Sequence, residues 1–177
     1  MTDIKDLIDL SEELEDVLED LEDMFDDLPI DGPDGKQLYQ MYGVFLSDLV
    51  NNPIAIKGQK LMVNRNRSKH PVCRGKFQGF EHIITRKNYY TGKRDFDRER
   101  ANKIHWIKPI IKNVSDARIK YFEAVNDDGD NQHFYWYEEK RFLIIVREVN
   151  PNLMLITSFS VDNGFEAKYR RMYNEYK

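Results

Sequence analysis

The stretch RIKYFEAVNDDGDNQHFYWYEEKRFLIIVREVNPNLMLITSFSV, residues 118–161, decides the fold. Four runs in it, 118–125, 133–138, 141–149 and 153–161, are dense in β-branched and aromatic residues. Such residues suit a pleated, half-buried surface. NDDGDN and NPN between the runs are turn sequences, because Asn, Asp, Gly and Pro accept or impose turn dihedrals. Short turns join antiparallel neighbours, so the stretch reads as a four-stranded antiparallel β-meander. In HFYWYE, strand alternation puts His133, Tyr135 and Tyr137 on one face and Phe134 and Trp136 on the other. The second pair reads as core. The first trio faces either solvent or a groove in which aromatics stack on bases.

Downstream, GFEAKYRRMYNEYK reads as a basic C-terminal helix carrying Lys168, Arg170 and Arg171. Upstream, DFDRERANKIHWIKPIIKN begins with Asp97, a helix cap for a segment running to Lys103. Pro109 breaks that segment or starts a new turn. GFEHIITR, residues 79–86, reads as a half-buried strand that holds Glu81 and His82 and leads into Arg86, Lys87, Lys93 and Arg94. Residues 53–77 are poorly periodic, with one short apolar piece (61–63) and a basic run, NRNRSKHPVCRGK. A helix over 36–50 has Leu38, Met41, Phe45 and Leu49 on one side and stops at Asn51-Asn52-Pro53. Before it, PIDGPDG is a turn cluster. Over 1–28, Leu7, Leu14, Leu18, Leu21, Phe25 and Leu28 follow helical spacing, with Ser11 the gap in the row. The expected organisation is an acidic amphipathic helix (1–28), a second helix with a basic linker (29–76) and a sheet domain (77–177). The fold class is α+β, with N-terminal helices, the meander and a C-terminal helix.

Of the 177 residues 41% are hydrophobic and 12% aromatic, enough for a real core in one domain. A single cysteine, Cys73, excludes an internal disulfide framework. No stretch approaches a membrane span and the N-terminus lacks a secretory pattern, so a cytoplasmic protein without membrane contact is expected. The net charge of −4 conceals an asymmetry. Residues 1–28 hold thirteen acidic residues against one lysine, and the rest holds 26 basic against 18 acidic residues. An acidic arm precedes a basic body, which speaks to partners. The arm suits a homodimer seam, a basic protein partner or a detachable lid.

The pieces FEHIITR, RDFDRERANKIHWIKPII, RIKYFEA, FYWYEEKRFLIIV and LITSFSVD together resemble phage- and prophage-associated members of a nuclease superfamily. That superfamily includes barnase, EndoU, the tRNase domain of colicin D and RelE-like toxins. The resemblance covers residues 77–177 and says nothing of 1–76. It implies helices followed by a four-stranded antiparallel sheet, and metal-independent cleavage of RNA, tRNA included, without a cofactor. A phage-encoded member acts in the host cytoplasm.

Such chemistry lets the ribose 2′-OH attack its own phosphate. It needs a base for that proton, an acid for the leaving oxygen, and donors for the charge that develops on phosphorus-bound oxygens. His82 is the first candidate for acid or base, since an imidazole reaches both protonation states near neutrality; the alternative is a core histidine bonded to backbone. Arg86 is a candidate phosphate ligand, because a guanidinium matches phosphate geometry. Thr157 and Ser158, near the end of the last strand, are candidate phosphate donors. Lys87, Lys93, Arg94, His133, Tyr135, Lys168 and Arg171 are candidate RNA contacts. His105 reads as packing and His70 as loop. No metal site is expected: no His/Cys set has zinc spacing, and NDDGDN is too short for a calcium loop. The competing reading is a non-catalytic interaction or regulatory protein whose acidic helix binds a basic partner or mimics nucleic acid.

Overall fold

The computed structural model describes residues 16–177. Helix α1 (Gly35–Phe45) starts at Asp34, whose carboxylate accepts from the Gln37 amide at 2.7 Å while the Gln37 side chain accepts from the Asp34 amide at 3.0 Å. This reciprocal box satisfies two donors that a helix start leaves free. The helix runs on as a π turn, Leu46–Asn51, and ends ahead of Pro53. Strands β1 (Ala55–Ile56) and β2 (Gln59–Met62) form a hairpin through Lys57 and Gly58, both at positive φ. Two such residues give the turn whose twist matches paired strands. Then follow α2 (Gln78–Ile84), the hairpin β3 (Thr85–Lys87) and β4 (Arg94–Phe96), and α3 (Arg98–Ala101). The Asp97 carboxylate caps α3 by accepting from the Arg100 amide at 3.1 Å. A 3₁₀ turn (Ile104–Trp106) leads into α4 (Ile107–Lys112). Last come β5 (Ile119–Val125), β6 (Asn131–Tyr137), β7 (Phe142–Val149), β8 (Asn152–Ser160) and α5 (Asn163–Tyr176).

The fold is mixed α+β, with five α-helices among the described residues. The main sheet has six strands where four were expected, in the order β1-β2-β8-β7-β6-β5. Consecutive strands from β5 to β8 pair antiparallel. The addition is the β1–β2 hairpin, whose residues 59–62 pair parallel to β8 at Leu61–Leu153 and Met62–Met154. A parallel contact between segments so distant in sequence leaves no turn signal to read. β2 reaches only Leu153 and Met154, so β8 from Leu155 to Ser160 pairs on one side only, with β7.

The two sheet faces bury different partners. Tyr135, Tyr137, Phe142, Ile144, Val146, Leu153 and Leu155 pack with α1, α2 and α4 in the larger core. Phe122, Phe134, Trp136 and Leu143 pack with Tyr169 of α5 in the smaller one. Phe122 and Phe134 stack across β5 and β6 with ring centroids 4.6 Å apart, a cross-strand pair of the kind that stabilises a sheet. The Tyr135 and Tyr137 face is therefore core, neither a groove nor a solvent face.

Two further expectations are corrected. Residues 79–84, read as part of a strand over 79–86, belong to helix α2. Phe80, Ile83 and Ile84, all fully buried, have the spacing of one helix face, and a short apolar run is ambiguous between the two periods. Gly79 suits this helix: a Cβ there would lie 3.2 Å from the Asn64 backbone. The expected helix over 1–28 lies outside the described residues for 1–15, and residues 16–28 are turns and irregular chain. Leu18, Leu21 and Leu28 are nonetheless buried, so the described part of the apolar stripe packs as a strap and not as a helix. The strap is fixed by its backbone. The Trp106 indole donates to the Glu22 carbonyl at 2.9 Å, the Met24 amide donates to Asn102 O at 3.0 Å, and Lys140 donates to Leu21 O at 2.8 Å. Asp16–Arg118 (2.8 Å) and Asp23–Lys103 (3.1 Å) add ion pairs. Among the described residues no helix is long and apolar enough to cross a membrane.

Because Leu18 is 2% exposed, Leu18→Ala should cost about 2–5 kcal/mol in urea denaturation. A loss under about 1 kcal/mol would show that the strap is not part of the core.

Candidate functional site

The site forms where β8 outruns β2. Helix α2 turns its buried side, Phe80, Ile83 and Ile84, to the core, which leaves His82 on the outer side with its side chain 40% exposed. Thr85 ends the helix. Its amide and its hydroxyl both donate to the Glu81 carbonyl, the latter at 2.6 Å. Thr85 is itself buried, so its remaining polar atoms need partners, and two arginines supply them. Arg94 donates to Thr85 Oγ1 at 2.9 Å and to Thr85 O at 3.0 Å. Arg100 donates to the same carbonyl at 3.0 Å and to Thr157 Oγ1 at 3.4 Å. Thr157 in turn donates to the His82 carbonyl at 3.4 Å. Arg100 also pairs with Asp97 at 3.5 Å and lies 5.2 Å from the centroid of the Phe159 ring.

Around these groups is a cavity of about 650 Å³, lined by His82, Arg86, Lys87, Tyr89, Arg94, Asp97, Glu99, Arg100, Thr157, Phe159, Asp162, Phe165 and Tyr169, among others. A second cavity of about 620 Å³ adjoins it, sharing Arg86, Lys87, Tyr89, Asp97 and Glu99. The two make one groove along the β3–β4 hairpin. Its cations crowd one another. Burial pushes the Arg100 guanidinium below its ordinary value, Arg94 and Arg86 push it further, and Asp97 and Asp162 oppose this. Arg94 is lowered by burial against the pull of Glu81. Both stay charged at neutral pH, since an arginine begins so far above it. His82 is lowered by burial first and then by Arg94, with Glu81 opposing. Burial and Arg94 thus favour the neutral, proton-accepting form of His82, against Glu81 at 3.5 Å. Four carboxylates line the groove too, Asp95, Asp97, Glu99 and Asp162, but Asp97 is committed to capping α3 and to Arg100.

Of the residues singled out in the sequence, the structure brings His82, Arg86, Lys87, Arg94 and Thr157 into one cavity. Ser158 is not among them. It is fully buried, pairs with Ile144 on the larger-core face, and its hydroxyl has no partner. Alternation separates it from Thr157. Tyr135, a candidate for base stacking, is 1% exposed inside the core, where burial and then Glu123 push its phenol up to about 12. His133 is buried in a polar cluster on three other strands. Lys93 is exposed on the hairpin without lining the cavity, as are Lys168 and Arg171 on α5. Arg100 went unrecognised in the sequence, although its place three residues after the capping Asp97 was the available signal. Cys73 is no nucleophile: it is fully buried, and burial pushes its thiol up to about 12. The described acidic strap engages Arg118, Lys103 and Lys140, none of which lines the groove.

No family model, curated protein or solved structure matches the chain. Function must be read from its own residues.

Ser158→Ala should leave stability within about 0.5 kcal/mol or raise it, because it removes a buried hydroxyl that nothing pairs. A loss above about 1.5 kcal/mol in urea denaturation would assign that hydroxyl a hydrogen bond.

Proposed function

We propose that this chain is a ribonuclease that needs no metal ion and cleaves RNA by attack of the ribose 2′-OH on the adjacent phosphodiester. The observation that carries the reading is the convergence of Arg94 and Arg100 on one carbonyl, that of Thr85, beside His82 and Arg86. Two guanidiniums that line a groove side by side, each with a nitrogen not bonded to Thr85, Thr157 or Asp97, suit a phosphate. The resemblance of residues 77–177 to the barnase, EndoU, colicin and RelE-like superfamily points the same way. In that resemblance β5 to β8 are the catalytic domain's meander.

His82, held neutral by its surroundings, takes the 2′-OH proton. Arg86, Arg94 and Arg100 stabilise the charge that gathers on the equatorial oxygens. In-line displacement puts the leaving 5′ oxygen on the side away from the base. Among the groove-lining groups, Tyr89 and Lys87 carry protons suited to that oxygen. Exposed Tyr89 and Tyr90 on the hairpin offer faces on which unpaired bases stack, which favours single-stranded RNA or a tRNA loop as substrate. Residues 16–28 of the acidic segment engage cations away from the groove, so the segment is assigned to a protein partner and not to the RNA site.

Purified chain incubated with total RNA in EDTA should cleave it, and His82→Ala should slow cleavage by about a hundredfold or more. Absence of cleavage by the intact chain, with binding retained, would reduce the site to an RNA-holding groove. The pH profile follows from the base role. Activity is lost where His82 is protonated, so the rate should rise with pH through a value below the usual histidine one of about 6.5 and be level at neutrality. A rate that falls across that window as pH rises would remove His82 as base.

A further inference from the structure

Away from the groove, at the end of the sheet where β7 turns into β8, three side chains from three consecutive strands meet. Glu123 comes from β5, His133 from β6 and Glu148 from β7. His133 Nε2 lies 2.8 Å from Glu148 Oε1 and 3.1 Å from Glu123 Oε1, and the three ligand atoms fall within 4.8 Å of one another. We infer that these residues bind a divalent transition-metal ion, zinc by preference, and that the ion clips β5, β6 and β7 together. The site is independent of the ribonuclease reading.

Donor chemistry is the first reason. One imidazole and two carboxylates suit zinc or a neighbouring first-row metal better than calcium or magnesium, which favour all-oxygen sets. Bonds of about 2.0–2.1 Å in tetrahedral array place ligand atoms about 3.3 Å apart. The observed 2.8 and 3.1 Å need to open by only a few tenths of an ångström.

The second reason is how the histidine is held. Its ring is buried, with the side chain 9% exposed, and Nδ1 is fixed by the Tyr121 hydroxyl at 2.6 Å. Such an outer contact on one ring nitrogen sets the orientation and tautomer of a ligating imidazole, and it leaves Nε2 aimed between the carboxylates. Asn131 steadies both acids, donating to Glu148 Oε1 at 3.0 Å and to Glu123 Oε1 at 3.4 Å.

Charge is the third reason. Among the described residues neither glutamate has an arginine or lysine within ion-pair distance, and His133 is the one basic group between them. A dication neutralises both acids. The glutamates, 47% and 42% exposed, leave an open side on which water completes the coordination.

No motif announces this set in the sequence. Its members lie on separate strands, with a turn between each and the next, and only strand register joins them. Glu123 faces His133, and Glu148 lies two residues beyond Val146, the residue that His133 faces on β7.

The full chain, stripped with a chelator and titrated with Zn²⁺ in a calorimeter, should take up one ion per molecule. At a hundredfold excess over Kd its Tm should rise by about 5 °C or more. Glu123→Gln/Glu148→Gln removes no buried group and should fold by circular dichroism, yet bind Zn²⁺ at least about tenfold more weakly and lose the Tm shift. Three results would overturn the inference: no saturable uptake by the wild-type chain, uptake undiminished in the double variant (which would place the ion on another histidine), or Ca²⁺ binding as tightly as Zn²⁺.

Discussion

The carbonyl of Thr85 is the point on which the rest of the groove depends. It accepts hydrogen bonds from both Arg94 and Arg100, and so ties the end of α2 to the β3–β4 hairpin and to α3. Charge-assisted hydrogen bonds of this kind contribute about 1.5–3 kcal/mol each, which offsets the repulsion between two partly buried guanidiniums. On the proposed reading, a phosphate entering the groove meets these two guanidiniums together. Thr85 holds this position because its own hydroxyl and amide are tied to the preceding helical turn, so the carbonyl has no freedom to turn away.

The sheet supplies the other half of the geometry. A strand edge left unpaired is a hazard that proteins cover or use. Here β2 stops at Met62, and helices α2 and α3 with the side chain of Arg100 take over along β8. The aromatic floor of Phe159 and Tyr169 under the arginines belongs to the smaller core and to α5. Arg86, Arg94 and Arg100 are thus positioned by three different elements, β3, β4 and α3. Among the described residues Arg100 alone of these arginines pairs with an acid, Asp97 at 3.5 Å, while Arg94 is held by Thr85.

Much of this was legible in the sequence where local chemistry decides the outcome. The strands over 118–161 were readable because β-branched and aromatic runs alternate with Asn, Asp, Gly and Pro turns. The cap at Asp97 and the helix beginning near Lys36 carried their own signals. Reading failed where tertiary contacts decide. The parallel partner of β8 is a four-residue strand far upstream. Phe80, Ile83 and Ile84 fit either period over so short a run. Leu18, Leu21 and Leu28 bury themselves without the helix that their spacing suggested. Strand alternation separated Thr157 from Ser158 once the register was known, but the face that carries Tyr135 was read as open, to solvent or to a groove, because a sequence does not say which side of a sheet is covered. His82, Arg86 and Arg94 were found together for a simpler reason: they lie within thirteen residues on one helix and hairpin.

The central claim is that phosphodiester meets this chain at the Thr85–Arg94–Arg100 cradle. The direct test is an amide chemical-shift titration of the full chain with a short all-deoxy oligonucleotide, which lacks the attacking hydroxyl and so stays intact. The largest shifts should fall on residues 82–100 and on Thr157. Shifts confined to α5 or to the strap, with Thr85, Arg94 and Arg100 unmoved, would contradict the account.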